Sequence, residues 1–70
     1  MKIILYTTDC PRCRILKQKL EAAGIWYNIV DDTAIMVAKG YMYLPILEVD
    51  DIAYEFGDAV KWIKEYSNGN

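Results

Sequence analysis

Residues 2–13 combine a short apolar segment, a polar loop and two closely spaced cysteines: Lys2-Ile3-Ile4-Leu5-Tyr6-Thr7-Thr8-Asp9-Cys10-Pro11-Arg12-Cys13. The apolar and partly β-branched segment over residues 2–6 predicts a buried strand. Pro11 suits the first turn of a helix, so a helix should begin near it. The pattern therefore predicts a strand, a loop and a helix, with Cys10 at the start of the helix and Cys13 one turn later.

The remainder of the chain predicts three further strands and two further helices. Gly24 should end the first helix, and Gly40 should end a short second helix that is capped by Asp31 or Asp32. Asp50-Asp51 predicts a tight turn between two strands. The predicted strands cover residues 25–30, 46–49 and 52–56, the second helix runs to about residue 39, the last helix opens at residues 57–58, and residues 67–70 form a frayed tail.

The resulting order, βαβαββα, predicts an α/β fold with a four-stranded mixed sheet. The first two strands are joined by a helix, so they should be parallel with a right-handed crossover, whereas the last two should form an antiparallel hairpin. Helices should cover both faces of the sheet. Two sets of apolar residues at helical spacing should face the core: Cys13, Leu16, Leu20 and Ala23 on the first helix, and Phe56, Ala59, Val60, Ile63 and Tyr66 on the last.

The length of 70 residues predicts a single domain over residues 1–70, and the hydrophobic fraction of 54% predicts that an apolar core stabilises it. The net charge of −2 argues against a nucleic-acid-binding surface. The longest strongly apolar run, residues 3–6, is far too short to span a bilayer. Because no signal peptide is visible before Cys10, we expect a cytoplasmic protein. We expect neither membrane nor nucleic-acid partners, and we expect a monomer.

The chemistry should lie in Cys10 and Cys13. A helix start favours a thiolate at Cys10, because unpaired backbone N–H groups and the positive end of the helix dipole lie there. Cys13 should lie deeper on the apolar face, so Cys10 is the predicted nucleophile and Cys13 the predicted resolving thiol. Arg12 should lower the pKa of Cys10, while Asp9 opposes it and is screened by solvent.

Two other interpretations of the cysteine pair remain open. A structural zinc site needs four ligands, and the chain has two cysteines and no histidine. Only a dimer that shares four thiolates would bind zinc or an iron–sulfur cluster, and a single chain provides no metal site. Alternatively, the two cysteines are inert and the chain is an interaction domain.

Pro45 and the aromatic segment before it form the second feature. A proline at the start of a strand cannot donate to the ladder, and by base rate alone its peptide bond would be trans. Residues 41–43, Tyr41-Met42-Tyr43, admit two interpretations: they cover the core, or they form an exposed surface for a partner.

Three segments resemble the glutaredoxins and the NrdH-type redoxins: residues 6–13 with the amphipathic helix that follows, residues 40–45, and residues 50–56. The resemblance covers nearly the whole chain. It implies a thioredoxin-like fold of glutaredoxin type and a cis bond before Pro45 that shapes a substrate groove. Pro11, through its place in the first helical turn, and Arg12, through its charge, are predicted to support the cysteines. The resemblance also implies a dithiol–disulfide oxidoreductase or electron carrier that reduces protein disulfides.

The resemblance leaves the electron donor and the target open. Glutaredoxins take electrons from glutathione, whereas NrdH-type redoxins take them from thioredoxin reductase and pass them to ribonucleotide reductase. The chain departs from the glutathione-binding pattern at Arg12, at Tyr43-Leu44 and at the lone Gly57. Asp58 either binds the amino group of the tripeptide or is a plain helix N-cap. The candidate contacts to a substrate or to glutathione are Thr8, Tyr43, Leu44, Gly57 and Asp58, and no tightly bound cofactor is expected.

Overall fold

A computed structural model of the protein describes residues 1–68. Its elements are β1 (Ile3–Tyr6), α1 (Pro11–Ala22), β2 (Asn28–Val30), α2 (Thr33–Ala38), β3 (Ile46–Val49), β4 (Ile52–Tyr54) and α3 (Phe56–Asn68). The predicted order βαβαββα is confirmed.

The four strands form one mixed sheet in the order β2-β1-β3-β4. Strand β1 pairs in parallel with β2, where Leu5 lies opposite Ile29, and antiparallel with β3, where Leu5 lies opposite Leu47. Strands β3 and β4 form the predicted antiparallel hairpin. Because β1 lies in the middle of the sheet and leads directly into the loop with Cys10, the loop starts from a fixed point.

Side chains alternate between the two faces along β1 and β3, and each face has its own core. Leu5 and Leu47 belong to the larger core together with α1 and α3, which includes the buried residues Ile3, Leu16, Leu20, Ile25, Val49, Ala59 and Ile63. Tyr6 and Ile46 pack on the opposite face against Met36 of α2. Helices therefore cover both faces, as the sequence predicted.

The predicted ends of α2 and the predicted hairpin turn are confirmed. Asp32 is the N-cap of α2, and its carboxylate accepts a hydrogen bond of 2.9 Å from the backbone N–H of Ala34. Gly40 follows the helix with a positive φ of 77°, a conformation that glycine adopts without strain. Asp50 and Asp51 both have positive φ, as the tight turn of a hairpin requires.

Strand β2 is shorter than predicted, since residues 25–27 connect α1 to the edge of the sheet. The backbone N–H of Ile25 donates a 3.0 Å hydrogen bond back to the carbonyl of Leu20, directly after Gly24. The side chain of Ile25 is buried in the larger core. The predicted strand over residues 25–30 is therefore apolar for two reasons: Ile25 anchors the end of α1 in the core, and residues 28–30 form β2.

Strand β4 also ends, and helix α3 begins, at an earlier residue than predicted. Strand β4 ends at Tyr54, and α3 begins at Phe56, with the N–H of Ala59 donating to the carbonyl of Glu55 at 2.7 Å. Ser67 lies in α3 and not in a frayed tail, while residues 69–70 of that predicted tail lie outside the described residues.

The outer side of α3 carries one aromatic residue that was expected in the core. Tyr66 is exposed, and its ring stacks on Trp62 with 5.3 Å between the ring centroids. Ala59 and Ile63 of the same helix are buried as predicted. None of the helices in residues 1–68 has the length and apolar character that a bilayer crossing requires.

Candidate active site

Cys10 and Cys13 form a disulfide at the start of α1, with 5.1 Å between their Cα atoms. Cys10 is the N-cap residue, and its Sγ accepts a hydrogen bond of 3.2 Å from the backbone N–H of Cys13. Cys10 is half-buried, whereas Cys13 is 0% exposed. The unequal exposure that the sequence predicted is therefore present. The N–H contact is the kind of interaction that stabilises a sulfur anion at a helix start.

The charged residues around the cysteines have partners that the sequence did not reveal. The guanidinium of Arg12 lies 5.5 Å from the centroid of the Phe56 ring, a cation–π contact between α1 and α3. Asp9 accepts a 3.1 Å hydrogen bond from Nε of Arg14 in an exposed ion pair. The negative charge before Cys10 is thus compensated by Arg14 in addition to being screened by solvent.

Pro45 lies on one side of an open groove of about 380 Å³, which we call the Pro45 groove. The peptide bond between Leu44 and Pro45 is cis, as the resemblance implied. The groove is lined by Arg12, Tyr43, Leu44, Pro45, Glu55, Phe56 and Gly57. Arg12 lies within the Cys-x-x-Cys segment and also lines the groove, so the groove adjoins the disulfide loop.

The aromatic segment over residues 41–43 divides between its two predicted roles. Tyr41 is partly buried, and its ring packs edge-on against Tyr6 with 5.1 Å between the centroids. Met42 and Tyr43 are 85% and 74% exposed. Tyr41 therefore covers the core on the α2 face, whereas the next two residues form an apolar surface that continues into the Pro45 groove.

The predicted contact residues do not all line this groove. Tyr43, Leu44 and Gly57 do, whereas Thr8 lies beside a different surface pocket that Asp9 and Arg14 also line. Asp58 is absent from the groove lining and lies in the first turn of α3. Because α3 begins at Phe56, the interpretation of Asp58 as an N-cap is wrong.

The sequence did not single out a charged cluster around a buried carboxylate on the α2 face of the sheet. Oε2 of Glu48 in β3 accepts a hydrogen bond of 2.8 Å from Nζ of Lys39 and a short one from the hydroxyl of Tyr41. The side chain of Glu48 is 5% exposed, and that of Lys39 is 42% exposed. We call these three residues the Glu48 clamp.

The three groups of the Glu48 clamp hold one another in their usual charge states. Burial alone would raise the pKa of Glu48, but the hydrogen bonds from Lys39 and Tyr41 outweigh it, so the net shift of this pKa is downward. Burial and the hydrogen bond to Glu48 raise the pKa of Tyr41 to about 12. The pKa of Lys39 is raised, first by its hydrogen bond to Glu48.

One signal in the sequence could have revealed the clamp. Glu48 is a charged residue in the strand Ile46–Val49, whose other three residues are apolar, and all four side chains are buried. A charge in such a strand needs a partner, because burial of an unpaired carboxylate is strongly unfavourable. The identity of the partners requires the path of the chain after α2, which the pattern alone does not give.

Comparison with solved structures identifies the fold. NrdH-redoxin from Escherichia coli, described as a glutaredoxin-like protein with a thioredoxin-like activity profile, matches with a TM-score of 0.71 and 24% identity. The match covers 89% of this chain and 93% of that chain. Glutathione S-transferases from Necator americanus and Ascaris lumbricoides both match with a TM-score of 0.76, at 19% and 16% identity. Each match covers 97% of this chain and 37% of the transferase.

No family model and no curated protein sequence matches the chain. The chain spans little more than a third of each transferase but nearly all of the redoxin. The structural matches establish that the chain has the thioredoxin-like fold. The resemblance to glutaredoxins and NrdH-type redoxins is thereby confirmed at the level of the fold.

Proposed function

We propose that the chain is a small dithiol–disulfide oxidoreductase that reduces protein disulfides through Cys10 and Cys13. The observation that carries the proposal is the unequal environment of the two sulfur atoms in a thioredoxin-like fold. Cys10 is half-buried at a helix start and accepts an N–H hydrogen bond, whereas Cys13 is fully buried behind it. One thiol is thus accessible to a substrate, and the other reacts with its neighbour.

In the reduced protein, the Cys10 thiolate attacks one sulfur of a substrate disulfide. A bond forms between Cys10 and the substrate, and the other substrate sulfur leaves as a thiolate that takes a proton from solvent. Cys13 then loses its proton and attacks Sγ of Cys10, which releases the second substrate sulfur. Two electrons pass to the substrate, and the protein ends in the disulfide form that the structure contains.

The Pro45 groove is the proposed contact surface for the substrate. It adjoins the disulfide loop through Arg12, and Tyr43 and Leu44 line its side. The exposed Met42 next to it extends the apolar surface beyond the groove, as suits a protein substrate. The proposed role of Pro11 and Arg12 is to support the cysteines, and ribonucleotide reductase is the proposed target by analogy with the NrdH-type redoxins.

The roles of the two thiols are tested by Cys10→Ser and Cys13→Ser. We expect Cys10→Ser to abolish disulfide reduction, and Cys13→Ser to accumulate as a mixed disulfide with the substrate. Mass spectrometry of the protein after incubation with insulin identifies the adduct. Full activity of Cys10→Ser would overturn the assignment of the nucleophile.

The electron donor is tested separately with the oxidised wild-type protein. Reduction is followed with glutathione, glutathione reductase and NADPH in one reaction, and with thioredoxin reductase and NADPH in another. Turnover with glutathione would place the protein with the glutaredoxins in function, and exclusive use of the flavoenzyme would place it with the NrdH-type redoxins. The proposed location is the cytoplasm, where glutathione and thioredoxin keep thiols reduced.

A further inference from the structure

We propose that Glu48 is a positioning residue for the Pro45 groove, because the Glu48 clamp fixes the chain segment that forms one side of the groove. This inference rests on the proposed function and adds to it a residue that does not touch the cysteines. The carboxylate of Glu48 is buried on the α2 face of the sheet and does not line the Pro45 groove. The inference is that it nevertheless affects the substrates that bind in this groove.

The path of the chain carries the inference. The backbone leaves α2 at Lys39, passes Tyr41, forms the groove side with Tyr43 and Leu44, and re-enters the sheet in β3 at Ile46. Glu48, two residues further along β3, accepts hydrogen bonds from both Lys39 and Tyr41. The clamp therefore joins the beginning and the end of the loop whose middle faces the groove.

The clamp adds a restraint that the backbone does not supply. The N–H of Tyr41 donates a 2.9 Å hydrogen bond to the carbonyl of Met36, so the backbone ties this end of the loop to α2 alone. The hydroxyl of Tyr41 reaches across to β3, while its ring is fixed against Tyr6 of β1. The carboxylate thus adds polar contacts to the apolar packing that holds the loop against the sheet, which also anchors Cys10.

The clamp is separated from the reacting sulfur atoms. Leu47 and Val49, the neighbours of Glu48 in β3, belong to the core that α1 and α3 cover, so Glu48 projects to the other face. Cys13 lies on α1. A change at Glu48 should therefore leave the intrinsic reactivity of Cys10 unaltered and affect substrates only through the groove.

This separation predicts different effects on two kinds of disulfide. A small disulfide such as 2-hydroxyethyl disulfide needs access to Cys10 alone. A protein disulfide, such as those of insulin, also has to place its chain in the groove, and a small misplacement of a binding surface is enough to slow such a reaction strongly. A defect that is confined to the protein substrate is the signature of a positioning role.

The test compares Glu48→Gln and Tyr41→Phe with the wild-type protein. Glu48→Gln keeps the size of the side chain and removes its charge, and Tyr41→Phe keeps the ring against Tyr6 and removes the hydroxyl donor. Each pre-reduced variant is mixed with excess insulin or 2-hydroxyethyl disulfide, and the rate of oxidation of the Cys10–Cys13 pair is followed against substrate concentration.

The chain offers a matched control for both substitutions. The hydroxyl of Tyr27 donates a 3.1 Å hydrogen bond to the carboxylate of Glu21 on the exposed side of α1. Tyr27→Phe and Glu21→Gln remove the same chemical groups at a place that does not line the groove. These two controls should react with both substrates at the wild-type rate.

We expect Glu48→Gln and Tyr41→Phe to lower the second-order rate constant for insulin by about five- to tenfold. The change should appear as a higher half-saturating concentration, with the limiting rate nearly unchanged. The rate constant for 2-hydroxyethyl disulfide should stay within about twofold of wild type. Because both residues act through one contact, the double variant should be no slower with insulin than the slower single variant.

Several outcomes would overturn the inference. Equal losses with both substrates would show a general structural defect, and unchanged rates with insulin would show that the clamp does not influence the groove. Additive losses in the double variant would show that the two residues act independently. If the wild-type protein reduced neither disulfide, the proposed function itself would fail, and this inference would fail with it.

Discussion

The Cys10–Cys13 pair and the Glu48 clamp are built from opposite kinds of sequence information. The two cysteines are three residues apart, and one turn of helix brings them together. The residues of the clamp are seven and nine residues from Glu48 and meet only because a loop returns the chain to the sheet. A local motif thus shows its chemistry in the sequence, whereas a cluster that depends on tertiary structure does not.

The two regions also differ in the solvent exposure of their charged side chains. The Asp9–Arg14 pair beside the cysteines has side chains that are 90% and 63% exposed. The carboxylate of Glu48 is nearly removed from water. Exposed pairs contribute little to stability, but the loss of one member of a buried cluster leaves groups without partners. The loss of a carboxylate is therefore expected to lower stability more at the Glu48 clamp than at the Asp9–Arg14 pair.

The largest expected effect tests the asymmetry within the cysteine pair. In the reduced, folded protein, Cys10 should react with iodoacetamide at least about a hundredfold faster than Cys13, because Cys13 is buried. Mass spectrometry of proteolytic fragments after brief alkylation measures the two rates. In urea the rates should converge, and equal rates in the folded state would contradict the assigned roles.

The next effect compares the two charged regions directly. Glu48→Ala should lower the free energy of unfolding by about 2 kcal/mol, since it leaves the hydroxyl of Tyr41 without its acceptor and opens space in the core. Asp9→Ala should change the free energy of unfolding by less than about 0.5 kcal/mol. Urea unfolding followed by circular dichroism measures both, and similar values for the two variants would remove the distinction between the regions.

The smallest expected effect is the loss of stability of the Glu48 clamp at low pH. The pKa of Glu48 lies below its ordinary value of 4.5 in the folded protein, so the unfolded chain binds a proton first as the pH falls. The stability from the clamp is therefore fully present above pH 4.5 and is lost as the pH falls through the folded pKa. Lys39 and Tyr41, which donate hydrogen bonds to Glu48, keep their charge states in this range because the pKa of each is raised.

Urea unfolding of wild-type protein and Glu48→Gln at several pH values measures this effect. The difference in their free energies of unfolding should shrink as the pH falls from about pH 6 to about pH 3, because Glu48 becomes protonated in the folded wild-type protein. A constant difference over this range would show that the pKa of Glu48 does not depend on folding.

The sequence was sufficient for the elements whose signals are local. Gly40 and Asp32 mark the ends of α2, and the Asp50-Asp51 turn defines the hairpin, because each of these residues satisfies a local backbone requirement. Phe56 fits the end of the predicted strand over residues 52–56 as well as the apolar face of the last helix, and the structure places it in the first turn of α3.

The side-chain partners of Arg12 and Glu48, which the sequence did not reveal, belong to other elements of the fold. The partner of Arg12 is Phe56 on α3, and the partners of Glu48 lie at the end of α2 and in the loop that follows. Periodicity gives the face on which a side chain lies but not the side chain that it meets there. Tyr41 therefore remained undecided between core and surface until the fold placed it next to Tyr6.

The complete burial of Cys13 has a consequence for oxidative damage. A peroxide that reaches Cys10 converts its thiolate to a sulfenic acid, and further oxidation of that group to sulfinic and sulfonic acids is in general irreversible. Cys13 is beyond the reach of the peroxide but lies within bonding distance of Cys10. Its thiol condenses with the sulfenic acid to give the disulfide and water, a state from which a reductant restores the protein.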